Sequence, residues 1–412
     1  MKALQLNISP LTFVAGKVCA RVFGPSSFYQ GPGKTVKLVD IPEPALPSSD
    51  WVKIKTSACG LCGSDLNLIM LHDSPSAQPF TSFPCVFGHE FVGRVAEAGA
   101  AVDGFAVGDR VTVNPALGCR TRGISPLCPS CRSGREGNCE NMAEGAFPPG
   151  MFLGLCQALN GGFAPFLVAH KSQVFRVPEA LTTDAAVMTE PVAVALQTVF
   201  DNLPAEKENI LIIGGGVIGN LLVQSVKALV PGCRIAVIEP SPFAAELALA
   251  CGADRIIPPA EIYAATAEIT GARIYKPLIG QPLPMGGFDR VYDTVGADAT
   301  LNLSMRVLKT MGTLSVVGIG GNVRLDLTPL WLKLQTIKGV YAYGTVNYNG
   351  RSLHVFELAM DMMARRLIAA EKLITHRFRL EDYRRMIKIN MNKGRNRAMK
   401  SIVEFLPSFG GD

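Results

Sequence analysis

The pattern of apolar and polar residues divides the chain into regions of different character. Up to about residue 189, short apolar–polar alternations such as residues 51–55 stand between turns rich in glycine and proline. This pattern is typical of a β-rich domain with many loops. From about 192 to 344, apolar strands are followed by segments of helical periodicity. Strands that alternate with helices predict a parallel, doubly wound sheet, so the expected fold class is α/β.

Individual elements can be predicted most clearly in the second region. We predict strands at 210–213, 235–238, 291–292 and 314–317, and helices that begin at Val217 and cover about 243–250. The amphipathic stretch 354–366 and the apolar stretch 401–405 are expected to return to the first domain. The predicted domains are therefore 1–191, completed by 345–412, and 192–344. Residues 265–287, with three prolines and two consecutive glycines, are predicted to form a long inserted loop.

Composition restricts the partners. The chain has 412 residues and a formal net charge of +6, and its Lys and Arg residues are scattered, which argues against a nucleic acid partner. The most apolar stretch, 210–230, contains four glycines and Lys227, so it fits a buried strand and helix better than a membrane span. The N-terminal residues do not resemble a signal peptide. We expect a cytoplasmic protein with neither a nucleic acid nor a membrane partner.

A glycine-rich turn between a strand and a helix predicts a dinucleotide site. Gly214 permits the tight turn, Gly216 lets the backbone approach a pyrophosphate, and Gly219 allows close packing of helix and strand. The helix start at Val217 and Ile218 would supply free N–H groups to the pyrophosphate. The next strand ends in Glu239, where a carboxylate can accept both ribose hydroxyls. Because a carboxylate there repels a 2′-phosphate and no arginine follows closely, NAD is favoured over NADP.

Clustered cysteines predict metal sites rather than disulfides. Seven of the eleven cysteines lie between residues 59 and 139, and no secretion signal accompanies them. One set of potential ligands consists of Cys62, His89 and a carboxylate from Glu90 or Glu190. Three such ligands leave a fourth tetrahedral position for water or a substrate oxygen, which is typical of catalytic zinc. If each residue is considered alone, the alternative interpretation is that Cys62 is a buried thiol and His89 is a core histidine.

A second set of thiols follows at tighter spacing. Cys128 and Cys131 form a CxxC pair, and Cys139 follows after seven residues. Cys119 is the candidate for the fourth ligand of a closed structural zinc site, because the hydroxyl of Ser125 is a poor zinc donor. A redox-active CxxC pair and a nucleic-acid-binding zinc ribbon are the alternatives. The first lacks a thioredoxin-like context and the second lacks a basic surface.

The order of several motifs resembles the zinc-containing medium-chain dehydrogenase/reductase family, which includes alcohol, sorbitol and threonine dehydrogenases. The motifs are Gly88-His89-Glu90 with Gly93, Gly108-Asp109-Arg110-Val111, Gly161-Gly162-Phe163-Ala164, the glycine turn, Gly252-Ala253-Asp254, Asp293-Thr294-Val295-Gly296 and Val317-Gly318. The resemblance spans nearly the whole chain. It implies a GroES-like catalytic domain, a Rossmann domain, and an NAD-dependent zinc enzyme that oxidises alcohols as a homodimer or homotetramer.

The resemblance also implies roles for particular residues. Cys62, His89 and either Glu190 or Glu90 would surround the catalytic zinc, with Asp65 behind His89. Backbone near Val295, Val317 and Gly318 would orient the nicotinamide, and Lys400 would face the pyrophosphate. Ser64 would begin the proton relay, yet Asn67 stands where many relatives have a histidine, so His72, or ribose and water, would replace it. The alternative functions are an NADPH-dependent carbonyl reductase and a catalytically silent nucleotide-binding relative.

Overall fold

The computed structural model describes residues 1–318 and 320–405, which form two compact units. The first unit contains residues 1–190, 342–364 and 370–405. The second contains residues 191–341 and 365–369. The sequence places the divisions after residue 191 and before residue 345.

Twenty strands are numbered in chain order within the described residues. They are β1 (Lys2–Leu6), β2 (Val36–Asp40), β3 (Trp51–Leu61), β4 (Cys85–Val86), β5 (Glu90–Ala98), β6 (Arg110–Val113), β7 (Phe166–His170), β8 (Val174–Arg176), β9 (Asn209–Ile213), β10 (Arg234–Ile238), β11 (Arg255–Ile257), β12 (Arg273–Tyr275), β13 (Leu283–Met285), β14 (Phe288–Asp293), β15 (Leu308–Val316), β16 (Thr336–Gly339), β17 (Thr345–Tyr348), β18 (Arg351–His354), β19 (Ile374–Phe378) and β20 (Lys400–Glu404).

Thirteen α-helices connect or flank these strands in the same part of the chain. They are α1 (Pro10–Phe23), α2 (Gly63–Ile69), α3 (Pro129–Arg132), α4 (Thr183–Val187), α5 (Thr189–Asp201), α6 (Val217–Leu229), α7 (Pro242–Ala250), α8 (Ile262–Thr270), α9 (Asp298–Val307), α10 (Thr328–Leu332), α11 (Val355–Ala364), α12 (Tyr383–Asn390) and α13 (Lys393–Asn396).

The first unit is built on a sheet in which β3 is central and in which all pairs are antiparallel except the parallel pair β19–β20. The strand order is β19-β20-β3-β5-β6-β8, and β7 also pairs with β3. Gly60 is in register with Glu90 on β5 and with Ile402 on β20. The end of β3 therefore lies beside the start of β5 and the start of β20. This register brings together residues that are hundreds of positions apart in sequence.

The second unit is the predicted doubly wound sheet. Its six strands are all parallel and follow the order β11-β10-β9-β14-β15-β16. The order reverses between β9 and β14, and the carboxyl ends of strands at such a reversal form the usual nucleotide crevice. The predicted strands, the helix start at Val217 and the predicted helix about 243–250 are confirmed.

The predicted long loop at 265–287 is wrong. Helix α8 continues to Thr270, and the hairpin of β12 and β13 follows, with Arg273 paired to Met285. Ile274 pairs with Pro284, so one of the prolines that suggested a loop lies within a strand. Proline is tolerated there because a two-stranded ribbon consists of edge strands.

The core of the first unit combines residues of this sheet with residues from the loops and helices around it. Val52, Ile54, Phe91 and Val111 of the sheet are almost completely buried, and the rings of Phe87 and Phe163 pack at a centroid separation of 4.8 Å and an interplanar angle of 60°. Within the described residues, no helix combines the length and the hydropathy that a membrane crossing requires.

Candidate active site and metal centres

Three of the predicted catalytic ligands meet at the end of β3. A ligand atom from each of Cys62, His89 and Glu90 lies within 4.8 Å of the other two. Cys62 follows β3 and is the N-cap of α2, whereas His89 and Glu90 come just before and at the start of β5. Thiolate, imidazole and carboxylate are the ligand types that zinc takes in catalytic sites. The residues present therefore fit a zinc ion with an open position.

Asp65 lies next to the three potential ligands and contacts two of them, Cys62 and His89. Its carboxylate is buried, accepts the backbone N–H of Cys62 at 2.9 Å and lies 3.5 Å from Nδ1 of His89. Burial lowers the pKa of His89, but Asp65 and Cys62 outweigh burial and raise that pKa well above its usual value. A carboxylate on Nδ1 leaves Nε2 as the nitrogen directed to a metal, which is the common arrangement around zinc-bound histidines.

Glu90 and Lys400 form a fully buried ion pair beside these ligands. The Lys400 ammonium also donates to the backbone oxygen of Leu61. Gly60 makes the space for it, since a side chain at this position would overlap the Glu90 carboxylate and approach Lys400. The buried Lys400 ammonium neutralises a carboxylate at the metal site. Its predicted contact with a pyrophosphate stays a prediction.

Glu190 lies close to the site but outside the three-ligand group. It is buried in the first turn of α5, and burial together with the charge of Glu90 raises its pKa to about 7. His89 and Lys400 act in the opposite direction. A buried carboxyl group that does not bind metal directly can still line the position of the substrate.

Ser64 and Asn67 are both partly exposed on α2. The N-terminus of α2 is capped by Cys62 and Asp65, and Ser64 lies in the first turn of the helix. His72 is exposed, and burial together with Lys17 lowers its pKa. The backbone N–H of His72 donates to the backbone oxygen of Asn67 at 2.8 Å, but among the described contacts no side-chain hydrogen bond links His72 to Ser64 or Asn67.

The four cysteines of the second set surround one point. Cys119, Cys128, Cys131 and Cys139 are all buried, and their sulfurs lie within 4.8 Å of one another. The Sγ atoms of Cys119 and Cys139 are 3.6 Å apart, and those of Cys128 and Cys139 are 4.0 Å apart. Four thiolates at about 2.3 Å from one zinc ion are about 3.8 Å apart. The spacing therefore fits a closed structural zinc site and is too long for a disulfide.

Polar hydrogens point at these sulfurs. Cys119 accepts from the backbone N–H of Cys128 at 3.4 Å and from the side-chain amide of Asn141 at 3.2 Å. Cys139 accepts from the backbone N–H of Asn141 at 3.3 Å. Burial raises the pKa of Cys128, but N–H donors from Glu140 and Cys131 outweigh it and lower the pKa to about 7. At Cys128 these donors stabilise the thiolate form, which is the form that binds zinc, whereas burial raises the pKa of Cys131 and Cys139.

Arg122 is a structural residue of this lobe that sequence reasoning missed. It is 0% exposed and lies in the segment between Cys119 and Cys128. Its guanidinium donates to five backbone oxygens at 2.7–3.3 Å: those of Leu117, Glu144, Phe147, Pro148 and Gly150. A lone arginine in a segment rich in turns reads as solvated, and no sequence signal marks it as buried.

The glycine turn of the second unit has the geometry that the sequence predicts. Gly214 has a φ of 94°, and Gly216 is the N-cap of α6. A side chain at Gly219 would overlap the backbone oxygen of Gly214. Because the helix packs so closely against the turn, the first N–H groups of α6, from Val217 and Ile218 onward, lie at the carboxyl end of β9.

Glu239 lies opposite this turn at the end of β10. Oε2 accepts the N–H of Gly215 and Oε1 accepts the N–H of Ser241, each at 2.7 Å. Each carboxylate oxygen has a second lone pair, so Glu239 can still accept hydrogen bonds from hydroxyl groups. The two backbone bonds fix the carboxylate beside the glycine turn, where a ribose would follow a pyrophosphate.

Asp293 belongs to one of the motifs named above, but sequence reasoning assigned it no role of its own. Its buried carboxylate accepts the N–H groups of Val295 and Gly296 at 2.8 and 3.0 Å. Its backbone oxygen accepts from Val317 and Gly318 at 2.9 and 3.0 Å. Asp293 thus ties together the ends of β14 and β15, which carry the residues predicted to orient a nicotinamide.

Comparison with known proteins agrees with this architecture. Residues 48–179 match the alcohol dehydrogenase GroES-like domain, and residues 217–365 match the zinc-binding dehydrogenase domain. The chain is 30% identical to Probable diacetyl reductase 2, (R)-acetoin forming, of Saccharomyces cerevisiae, over 86% of this chain and 84% of that protein. It is 27% identical to sorbitol dehydrogenase of Bacillus subtilis, over 85% and 88% of the two chains.

A solved structure gives the same result. A proposed zinc-binding dehydrogenase from Sinorhizobium meliloti 1021, with NADP bound, superimposes with a TM-score of 0.68 at 27% identity, over 90% of this chain and 95% of that one. Fold and site together define an oxidoreductase of the alcohol dehydrogenase type. The chain belongs to the zinc-containing medium-chain dehydrogenase/reductase family.

Proposed function

We propose that the chain is a zinc-dependent dehydrogenase that transfers hydride between a secondary alcohol or polyol and NAD. The observation that carries this proposal is the convergence of Cys62, His89 and Glu90, with Asp65 behind them. A catalytically silent nucleotide-binding relative would have no need for this set. Loss of alcohol oxidation in Cys62→Ser, with the thiols of the structural lobe intact, tests the assignment.

Glu90 is the third ligand that the geometry favours, and Glu190 is the alternative. Glu90 lies within the three-ligand group, and Lys400 compensates the extra negative charge there. Replacing each carboxylate with its amide distinguishes the two. Glu90→Gln is expected to lower zinc affinity, whereas Glu190→Gln should lower turnover with zinc retained. The reverse result would assign the ligand to Glu190.

The side chains around the metal position have separate tasks. When bound, zinc supplies a Lewis acid for the substrate oxygen, and NAD supplies the hydride acceptor. Ser64, two residues after Cys62, is proposed to take the substrate hydroxyl proton and pass it to solvent. Since Asn67 cannot titrate, water and ribose hydroxyls complete this path. General acid–base groups contribute roughly 10²–10⁴-fold, so Ser64→Ala should lower turnover strongly and leave NAD affinity unchanged.

Glu239 supports NAD as the cofactor. Its fixed carboxylate would accept ribose hydroxyls and repel a 2′-phosphate. Binding of NADP by the S. meliloti relative keeps an NADPH-dependent carbonyl reductase as the alternative. The ratio of kcat/KM for NAD and NADP separates the two, and Glu239→Ser should shift that ratio toward NADP. Preference of the wild type for NADP would contradict the proposal.

The substrate class follows from the relatives. Their names describe a diacetyl reductase that forms acetoin and a sorbitol dehydrogenase, which share a secondary alcohol or ketone beside a second oxygen. We therefore expect vicinal diols and polyols to be better substrates than simple primary alcohols. A panel of these alcohols with NAD tests this expectation. Equal rates with ethanol and with vicinal diols would contradict it.

A homodimer or homotetramer is proposed from the surface of the second unit. Strand β16 is an edge strand with exposed residues, and Trp331, Leu334 and Ile337 expose apolar side chains around it. An exposed apolar edge is a template for pairing with a second copy. Ile337→Lys should reduce the mass measured by sedimentation to that of one chain. An unchanged mass would show that this edge is not the interface.

The cytoplasm is the proposed location. All eleven cysteines are free, and four of them form the proposed thiolate site, which requires a reducing compartment.

A further inference from the structure

Helix α1 exposes several large apolar side chains to solvent, and four of them follow one another along the helix. Leu11, Val14, Val18 and Val22 are 84%, 61%, 54% and 68% exposed. Their spacing of three, four and four residues places them on one face of the helix. An ordinary surface helix turns such a stripe toward the core. We call these four residues the α1 stripe.

The opposite face of α1 attaches the helix to the protein through a small residue. Gly16 is the buried residue of α1, and an added Cβ there would lie 3.1 Å from side-chain atoms of both Leu71 and Phe28. Close packing at Gly16 fixes which face points outward. The α1 stripe is therefore exposed because the opposite face of the helix packs against the protein at Gly16, and not because the helix is loosely attached.

The chain segment that contains the stripe carries only positive formal charges. Residues 1–39 contain five Lys or Arg residues and no Asp or Glu. Lys17 and Arg21 each follow a stripe residue by three positions, so they border the stripe on one side. Within the described residues, neither of them is in an ion pair. The helix thus combines an apolar stripe with uncompensated positive charge.

We propose that α1 is a docking surface for an anionic lipid bilayer. The α1 stripe would enter the boundary between headgroups and acyl chains, and Lys17 and Arg21 would contact acidic headgroups. A second copy is a poorer occupant, because two such helices would bring cations together with no carboxylate in either helix to pair with them. The sequence predicts no membrane partner because no stretch resembles a spanning segment or a signal peptide, whereas α1 would lie along the surface of the bilayer.

Sedimentation of the full, zinc-loaded chain with vesicles tests the proposal. The wild type is expected to pellet with vesicles of phosphatidylcholine and phosphatidylserine, less at high salt, and weakly with phosphatidylcholine alone. Because each Lys or Arg near an anionic surface contributes about fivefold in affinity, Lys17→Gln with Arg21→Gln should bind roughly 30-fold more weakly. Val14→Asp with Val18→Asp should abolish binding. Alcohol oxidation in solution should remain unchanged in all of these variants.

A matched control is the tip of the β12–β13 hairpin, where Leu278 and Ile279 are also highly exposed. Leu278→Asp with Ile279→Asp should leave vesicle binding at the wild-type level. Failure of the wild type to pellet with anionic vesicles would overturn the proposal. So would equal binding by the Val14/Val18 variant, or a lower mass of that variant in lipid-free sedimentation, which would assign the stripe to a second copy.

Discussion

Oδ1 of Asp65 lies 3.5 Å from Nδ1 of His89, and the other oxygen of the same carboxylate accepts the backbone N–H of Cys62. One buried side chain thus orients two of the three proposed zinc ligands. Its negative charge also increases the electron density on the imidazole, which strengthens the bond to a metal.

Asp65→Asn is expected to weaken zinc binding at the catalytic site while the fold is retained. Loss of a carboxylate behind a zinc-bound histidine typically costs about 10–100-fold in metal affinity. Competition with a chromophoric chelator measures this change. Asp40→Asn, at an exposed position, is the control and should match the wild type. Equal zinc affinity in Asp65→Asn would remove Asp65 from the site.

The structural lobe provides a second test of the ligand assignments. Cys119→Ala should lose one zinc ion per chain, because three thiolates leave a structural site open. Ser125→Ala should keep that ion, since Ser125 is exposed on the loop between Cys119 and Cys128. Metal analysis of both variants decides the matter. Retention of full zinc content by Cys119→Ala would overturn the assignment.

The fold of the second unit could be predicted because local signals agree there. The glycines from Gly214 to Gly219, the apolar strands and the helix start at Val217 all require the same strand–turn–helix geometry. The hairpin of β12 and β13 could not be predicted, because its prolines and glycines favour a loop when the pairing partner is unknown. Strand register, a long-range property, decides such segments.

Many contacts in the candidate site also could not be predicted from the sequence. The motif residues Cys62, His89 and Glu90 could be named, but their pairing partners depend on the register of three strands. Lys400 contacts Glu90 only because β3 and β20 are in register beside β5. The sequence does not mark Arg122 as buried. Buried arginines without a carboxylate partner are rare, so an arginine in a loop is expected to be exposed.

Arg122 should be essential for the stability of the lobe. Arg122→Met removes the donor to five buried backbone oxygens, and we expect a loss of at least about 3 kcal/mol in the free energy of unfolding. Denaturant unfolding, followed together with zinc release, measures it. Arg120→Met, at a neighbouring exposed position, should unfold like the wild type. Similar stability of the two variants would contradict this role.

His354 predicts how stability depends on pH. Burial lowers the pKa of His354 to about 4, from 6.5, among the rings of Phe175 and Phe356. Because the unfolded chain binds this proton first, stability is complete above pH 6.5 and falls as the pH decreases toward 4. The loss reaches about 3 kcal/mol near pH 4.

Urea unfolding midpoints between pH 4 and 7 check this dependence. His354→Phe keeps an aromatic ring but has no proton to bind, so its midpoint should change less with pH than that of the wild type. Release of zinc at low pH affects both proteins and cancels in the comparison. Parallel pH profiles would show that His354 does not contribute.

The central claim is that Cys62 and its neighbours hold the metal that makes this chain an NAD-dependent alcohol dehydrogenase. The most direct measurement is NADH formation from a vicinal diol, with zinc counted on the same sample, for the wild type and Cys62→Ser. The wild type is expected to reduce NAD and to contain one zinc more than the variant, which should be inactive but folded. Full activity of Cys62→Ser, or equal zinc content in the two proteins, would contradict the account.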